Sequence, residues 1–141
     1  VEIANRTTAT TTPEASPAAD GEQIRAMQML ARGVPIANHV TAFAAKLIKA
    51  THPEDADSPA VVRQFVRYGA SPRGMQALIL AGKIIALLDG RYNVAFDDIR
   101  AAAVPALRHR IILNFEAQAE GMTPDQIIRD ILQAVVPEKT A

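Results

Sequence analysis

The sequence predicts an all-α protein, a compact bundle of about six helices. Of its 141 residues, 49% are hydrophobic but only 4% are aromatic, and there is no Trp. Ala, Leu, Ile and Val supply most of the apolar content, which favours packed helices over aromatic-rich strands. Apolar residues also recur at helical spacing in several segments that short polar loops separate. A chain of this length and composition can bury an ordinary core as one domain.

The start of the chain differs in composition from the rest. Residues 5–20 are rich in Thr, Ala and Pro and show no apolar periodicity, which is typical of a linker or an arm. The first helix is predicted over residues 21–32. Asp20 can cap its start, apolar residues follow at helical spacing, and Gly33 can end it.

Prolines divide the next part of the chain. Residues 34–36 should be extended, because a residue that precedes proline avoids the α region. A helix is predicted over residues 37–51, where an apolar stripe ends just before a proline. An acidic loop, residues 52–59, follows it. A short helix is then predicted from Ser58-Pro59 to Gly69, because a cap residue followed by proline is a helix start signal.

The strongest predicted helix follows. Ser71 is its N-cap, Pro72 its first residue and Gly90 the residue after its end. It is apolar over most of its circumference, so we expect it to be central in the bundle, with Gly82 permitting close approach of another helix. Its apolar run, interrupted by Gly82 and Lys83, is shorter than the roughly 20 residues that a membrane span needs.

The last third of the chain predicts two further helices. Residues 92–94 are a short extended piece, which we expect to pair with residues 34–36 as a minimal two-stranded patch. Acidic residues in the first turn favour a helix over residues 96–103. Pro105 is expected to interrupt that helix, with one or two more helical turns after it. The final helix is predicted from Thr123-Pro124 until Pro137.

Charge and cysteine content exclude several classes of function. The chain carries 15 basic and 15 acidic residues, so no global field attracts nucleic acid or an anionic membrane. This balance disfavours a helical DNA-binding domain. The absence of cysteine excludes disulfides and thiolate chemistry, and we expect a cytoplasmic protein. The sequence starts without Met or a signal peptide pattern, and we expect it to be part of a longer protein.

No familiar self-sufficient catalytic centre is present in the sequence. It contains no GxxxxGK[ST] phosphate loop, no HExxH and no GxSxG. His39, His52 and His109 lack zinc-ligand spacing, and the acidic residues 54–57 lack the ligand order of a calcium-binding loop. We therefore predict no metal site and no enzymatic activity for the chain by itself.

The segment YGASPRG, residues 68–74, places Arg73 in the first turn of the strongest helix. The backbone there already carries positive charge and several unpaired N–H groups. Two interpretations are open. Arg73 folds back on an acidic side chain, or it faces a phosphate together with the helix N-terminus. The motif alone does not decide between them.

Five segments follow one another in a characteristic order: YGASPRG, the long apolar helix, LDGRYNVAFDDIRA, PALRHRI and FEAQAEGMTPDQII. Together they resemble the C-terminal lid region of the MoxR family of AAA+ ATPases, over most of residues 20–136. In AAA+ proteins such a helical lid packs over a nucleotide that an α/β domain holds. The resemblance implies that residues 1–19 are an arm from a preceding ATPase α/β domain and that residues 20–141 are the lid.

The resemblance also implies a nucleotide role for Arg73. In such lids an arginine at a helix start, called sensor 2, reaches the terminal phosphates of ATP, and Arg73 occupies the matching position. Ala70, Ser71 and Pro72 would line the same turn. The lid would close over ATP and Mg²⁺ and couple hydrolysis to remodelling or maturation of partner proteins. The full-length parent would be an ATP hydrolase, whereas this part lacks the Walker motifs and should bind neither ligand alone.

The resemblance further implies a homo-oligomeric ring, a hexamer, with a chaperone-like role and with von Willebrand A domain proteins among its partners. Arg108, His109 and Arg110 are candidates for contact with a neighbouring subunit, and intramolecular salt bridges are the other interpretation. The alternative from another class is a stand-alone helical interaction module without a nucleotide role, in which Arg73 is an ordinary surface residue.

Overall fold

A computed structural model of the chain describes residues 1–10 and 15–137. Within these residues lie eight helices and one antiparallel sheet of two short strands, so the predicted all-α class with a small strand patch is confirmed. In chain order the elements are α1 (Glu2–Thr8), α2 (Gly21–Gly33), α3 (Asn38–Lys49), α4 (Ala60–Phe65), β1 (Val66–Tyr68), α5 (Pro72–Leu88), α6 (Phe96–Leu107), β2 (Ile112–Leu113), α7 (Phe115–Ala119) and α8 (Pro124–Ala134).

Reciprocal side-chain caps fix the starts of two predicted helices. At α2 the Asp20 carboxylate accepts from the Gln23 backbone N–H at 2.8 Å, and the Asp20 N–H donates to the Gln23 side chain at 2.9 Å. At α8 Thr123 and Gln126 make the same exchange, at 3.3 and 2.9 Å. Each pair satisfies two backbone N–H groups that the helix leaves open, which explains why both starts could be predicted from the sequence.

Helix α5 is central, as predicted, and packs against α2, α3 and α6. Gly82 is buried where α6 crosses α5, and a Cβ atom built there would lie 2.9 Å from Cδ1 of Ile99. The absence of a side chain at Gly82 therefore permits the close approach that we predicted. Gly90 follows the helix with a φ of 70°, a conformation that favours glycine. No helix in the described part of the chain is both long enough and apolar enough to cross a membrane.

The core draws side chains from α3 to α8. The apolar stripe predicted for α3 is buried, and the ring of its Phe43 meets Phe96 of α6 edge-on, with centroids 5.3 Å apart. Edge-on contact is a favoured arrangement of aromatic pairs. The largest fully buried apolar side chains are Leu47, Leu78, Ile99, Ile127 and Ile128.

The strand patch does not lie where the sequence predicted it. Strand Val66–Tyr68 pairs with Ile112–Leu113, so the predicted short helix ends at Phe65 instead of Gly69. The predicted partners, residues 34–36 and 92–94, share one backbone hydrogen bond, from Val94 N to Pro35 O at 3.3 Å. Pro35 has no N–H to donate in return, so this contact cannot grow into a ladder.

The predicted break at Pro105 is also wrong. Helix α6 runs without interruption from Phe96 to Leu107, and the further helical turns expected after Pro105 are replaced by a turn and β2. Ala102, Ala103 and Leu107 are buried on both sides of the proline. The packing of α6 against α5 and α8 therefore outweighs the cost of an internal proline, about 3 kcal/mol.

Two short helices were not predicted. Helix α1 lies in the segment predicted to be an arm, and its seven residues bury no side chain. Helix α7 (Phe115–Ala119) precedes the predicted final helix, and the Asn114 side chain caps it by accepting from Ala117 N at 3.0 Å. The division into an arm, residues 1–19, and a lid, residues 20–141, stays a prediction.

Candidate functional site

The first turn of α5 carries Arg73. Ser71 is the N-cap residue with extended backbone, and Pro72 is the first helical residue, as the sequence predicted. The Ser71 side chain makes no capping hydrogen bond, although its carbonyl accepts from Gly74 N at 2.7 Å. The start of this 17-residue helix also has no acidic residue in its first turn. It therefore keeps the positive electrostatic character of an uncapped helix N-terminus.

The Arg73 side chain is exposed, and it makes no hydrogen bond, ion pair or ring contact with any residue in the described ranges 1–10 and 15–137. Arg91 shows the contrast, because its guanidinium binds both Asp89 and Asp98. No acidic side chain among the described residues pairs with Arg73, so the interpretation that Arg73 folds back on one has no support there. Its guanidinium is left available to an anion.

The turn before α5 is held by the end of α3. The Ala70 N–H donates to Thr51 Oγ1 at 2.9 Å, and His52 Nε2 lies 3.0 Å from Ala70 O. Gly69 lies against the same two residues, and a Cβ atom built on it would be 2.7 Å from the Thr51 backbone oxygen. From the sequence, His52 was considered only as a metal ligand and Thr51 was missed, because both residues lie 18 or 19 positions away from Ala70.

Replacing Gly69 with alanine is expected to lower the free energy of unfolding by about 1–3 kcal/mol, a typical cost of overpacking. The new methyl group would meet the backbone oxygen of Thr51, which no side-chain rotation can move away, and the Thr51 hydroxyl, which two hydrogen bonds hold in place. Gly33 is the matched control, since a Cβ atom there meets nothing within 4 Å. Urea unfolding of both variants gives the comparison. Equal stability of Gly69→Ala and Gly33→Ala would show that the turn is not tightly packed.

The basic segment after α6 is split between two surroundings. Arg108 makes an ion pair with Asp125 of α8 at 2.7 Å, which fits the interpretation of intramolecular salt bridges. Arg110 donates to Ala106 O at 2.7 Å and also contacts the exposed His109. Its Cδ lies 3.4 Å from a Cβ atom built on Gly74. The structure thus brings Arg110, but not Arg108, next to the first turn of α5.

The acidic loop after α3 is tied to its surroundings. The backbone N–H of Asp57 donates to Asp55 and lowers the pKa of that carboxyl, with a further contribution from Lys49, whose Nζ lies 3.3 Å from Asp55. Glu54 lies 3.2 Å from His52 Nδ1. In the described part of the chain, no three His, Cys, Asp or Glu side chains are grouped so that they could hold a metal ion.

A groove between α2 and α5 presents apolar side chains at the surface; we call it the α2–α5 groove. It has a volume of about 340 Å³, and Met27 and Leu88 on its walls are 61% and 81% exposed. Apolar residues recur at helical spacing along α2, yet Ala31 is the one residue of that helix that is buried. Contiguous apolar surface that is exposed is typical of interaction sites. The apolar residues of the groove are Ile24, Met27, Leu30, Ala31, Ile84, Leu87 and Leu88.

A second cleft, with a mixed polar and apolar lining, lies beside the C-terminal end of α2. Its volume is about 450 Å³, and Lys83 Nζ crosses it to donate to Arg32 O at 2.9 Å. Gln76 and Leu80 also line it, and their spacing from Arg73 places all three residues on one face of α5. The cleft and Arg73 therefore share one side of the molecule.

Comparison with known proteins decides the family. A family model described as the AAA lid domain matches residues 59–131, more than half of the chain. The chain belongs to the AAA lid domain family. Among curated proteins, this lid domain is 36% identical over 74 residues to Chaperone MoxR1 of Mycobacterium tuberculosis and 39% identical over 80 residues to Protein MoxR of Paracoccus denitrificans. These matches identify it as a MoxR-family lid domain, as the sequence predicted.

The matched regions are 52% and 55% of this lid domain but 20% and 23% of the two MoxR proteins. The chain thus spans about a fifth of the length of the curated relatives that it matches. A solved structure, a candidate ATPase of Cytophaga hutchinsonii at 2.00 Å, aligns over 98% of the chain with a TM-score of 0.84 and 28% identity. The alignment covers 42% of that protein, so most of its length lies outside the matched region.

Proposed function

We propose that this lid domain closes over ATP that an α/β domain of the same full-length protein holds, with Arg73 contacting the terminal phosphate. The observation that carries the proposal is the state of Arg73: exposed, without a partner among the described residues, and in the first turn of a long helix without a side-chain cap. Positive charge of the guanidinium and of the helix N-terminus converge there. Such a site suits an anion, and arginine can bind a phosphate group through two parallel hydrogen bonds.

The proposed role of Arg73 follows from the chemistry of phosphoryl transfer. Negative charge is spread over the oxygens of the transferred phosphate, and positioning and charge stabilisation supply most of the catalysis. An arginine on a separate helical domain would stabilise that charge while ATP is intact. It would lose its partner when the phosphate leaves, so hydrolysis would change the position of the lid. Mg²⁺ would be held by the α/β domain, and we assign it no ligand in this chain.

The proposed partners are of two kinds. The α2–α5 groove would be covered by the α/β domain of the same protein, because most of the solved ATPase-like structure lies outside the part that this lid resembles. Neighbouring subunits of a homo-oligomeric ring, which we propose to be a hexamer, would contact the exposed Arg108 and His109 and the half-buried Arg110. Arg108 would then keep its ion pair with Asp125 at the edge of that contact.

The cellular role that we propose is remodelling or maturation of partner proteins, driven by ATP hydrolysis in the cytoplasm. The name of one relative, Chaperone MoxR1, supports a chaperone-like role. Proteins with von Willebrand A domains are the proposed substrates, by analogy with the family alone.

The test of the proposed function compares this 141-residue chain with the full-length protein. We expect the full-length protein to hydrolyse ATP in the presence of Mg²⁺ and the lid alone to hydrolyse none, because its sequence contains no phosphate loop and its described residues group no three potential metal ligands. Release of inorganic phosphate measures the hydrolysis by the full-length protein and by the lid alone. Hydrolysis by the lid alone, or a full-length protein that neither binds nor hydrolyses ATP, would contradict the proposal.

A further inference from the structure

We propose that Thr51 and His52 are positioning residues for Arg73. They clamp Ala70, and in this way they set the direction in which α5 starts. The inference rests on the proposed phosphate role of Arg73, and it adds two residues from another helix end to that site. Neither residue lies within the first turn of α5, so both would act through the backbone that precedes it.

The clamp holds both backbone polar groups of one residue. Ala70 N donates to Thr51 Oγ1 at 2.9 Å, and His52 Nε2 donates to Ala70 O at 3.0 Å. A carbonyl oxygen can only accept, so Nε2 is the nitrogen that carries the proton in this contact. Ala70 and Thr51 are fully buried, at 0% exposure, and Ala70 lies three residues before Arg73. Two hydrogen bonds in opposite directions leave the Ala70 peptide units little freedom to rotate.

The clamp is itself braced from two sides. Thr51 Oγ1 donates to Ile48 O at 2.6 Å, which fixes the hydroxyl on α3. Ser58 Oγ donates to His52 O at 2.6 Å, and Arg63 of α4 in turn donates to Ser58 O. The hydrogen-bonded chain therefore connects α3 and α4 to the turn before α5.

Positioning matters here because the Arg73 side chain has no local support among the described residues. Where no neighbour orients the guanidinium, the backbone from which it projects decides where it points. The Gly69 contact with Thr51 also removes the space into which the turn could shift. A displacement of about 1 Å at a catalytic contact can cost about 100-fold in rate.

The test is a double-mutant cycle in the full-length protein, with kcat and KM for ATP as readouts. Thr51→Val is nearly isosteric and removes the hydroxyl, whereas Thr51→Ser keeps it. We expect Thr51→Val to lower kcat about 10-fold with a smaller change in KM, and Thr51→Ser to stay within about 2-fold of wild type. In an Arg73→Ala background, Thr51→Val should lower kcat by no more than about 2-fold, because its effect passes through Arg73.

An equal fold-loss in both backgrounds would show that Thr51 is merely structural and would overturn the proposal. Normal kcat in Thr51→Val, beside a low kcat in Arg73→Ala, would overturn the clamp while leaving the phosphate role intact. Normal turnover in Arg73→Ala would overturn both. If Thr51→Val fails to fold by circular dichroism, His52→Ala takes its place in the same cycle, with His52→Gln as the variant that keeps a donor. The side chain of His52 is 35% exposed, so its truncation leaves a smaller defect in the core.

Discussion

Replacement of Arg73 with alanine in the full-length protein is expected to lower ATP turnover about 100-fold while the lid stays folded. Loss of one preorganised charge contact at a transition state typically costs this much. The fold should not change, because Arg73 is exposed and makes no hydrogen bond, ion pair or ring contact with the described residues. Steady-state phosphate release gives the turnover, and far-ultraviolet circular dichroism reports the helices.

Arg25→Ala is the matched control for this effect. Arg25 lies on α2, is exposed and likewise makes no hydrogen bond, ion pair or ring contact with the described residues. We expect its turnover to stay within about 2-fold of wild type, since surface substitutions away from a site have small effects. Arg73→Lys should fall between the two, because lysine keeps the charge but cannot bind a phosphate with two parallel hydrogen bonds. Equal turnover of Arg73→Ala and Arg25→Ala would remove the basis of the phosphate role.

The second large effect concerns stability. Replacement of Asp98 with alanine is expected to lower the free energy of unfolding by about 2–3 kcal/mol, the cost of losing hydrogen bonds to a buried charged group. The Asp98 carboxylate is only 3% exposed and accepts from the Arg91 guanidinium at 2.6 and 2.9 Å. It also accepts from Ala95 N at 2.8 Å, at the start of α6. One side chain therefore joins the loop after α5 to the first turn of α6.

The Asp98 contribution should depend on pH. Hydrogen bonds from Arg91 hold the pKa of the Asp98 carboxyl below its usual range, and the Ala95 N–H adds to this effect. A lowered folded-state pKa gives stability that is complete above the unfolded pKa, about 4, and is lost as the pH falls through the folded value. The stability difference between wild type and Asp98→Ala should therefore shrink below about pH 4. Denaturant unfolding at several pH values measures it.

Asp89→Ala is the control for Asp98. The Asp89 carboxylate binds the same guanidinium at 2.9 Å, but its side chain is 62% exposed. Exposed ion pairs contribute about 1 kcal/mol at most, so its loss should be small. If Asp89→Ala and Asp98→Ala destabilise the protein equally, burial and the Ala95 contact add nothing to the ion pair.

Local signals account for the parts of the fold that the sequence predicted. Asp20 and Thr123 cap their helices with residues three positions away, and Gly90 ends α5 with the backbone conformation that glycine favours. The sequence did not predict the pairing of Val66–Tyr68 with Ile112–Leu113, because the two strands lie more than 40 residues apart and neither has a local signature. Pro105 carries a local signal for a break, and tertiary packing overrides it.

The residues of the candidate site also divide into those with a local sequence signal and those without one. Arg73 could be identified from the sequence because its proposed role depends on its position in the first turn of its own helix. Arg110 could be recognised as a cation from the sequence, but its position beside Gly74 depends on how the chain turns after α6. Thr51 and His52 carry no motif, and only the tertiary fold brings them to Ala70.

The most direct test of the phosphate role compares the affinities of the full-length protein for ADP and for a non-hydrolysable ATP analogue. The two ligands differ in the terminal phosphate that Arg73 is proposed to contact. Calorimetric titration of wild type, Arg73→Ala and Arg25→Ala gives the six dissociation constants. We expect Arg73→Ala to weaken binding of the ATP analogue about 10-fold or more, since each charge-assisted hydrogen bond that is lost costs about 1.5–3 kcal/mol, and to leave ADP binding unchanged. Unchanged binding of the analogue by Arg73→Ala, or an equal loss for both nucleotides, would contradict the proposed contact between Arg73 and the terminal phosphate.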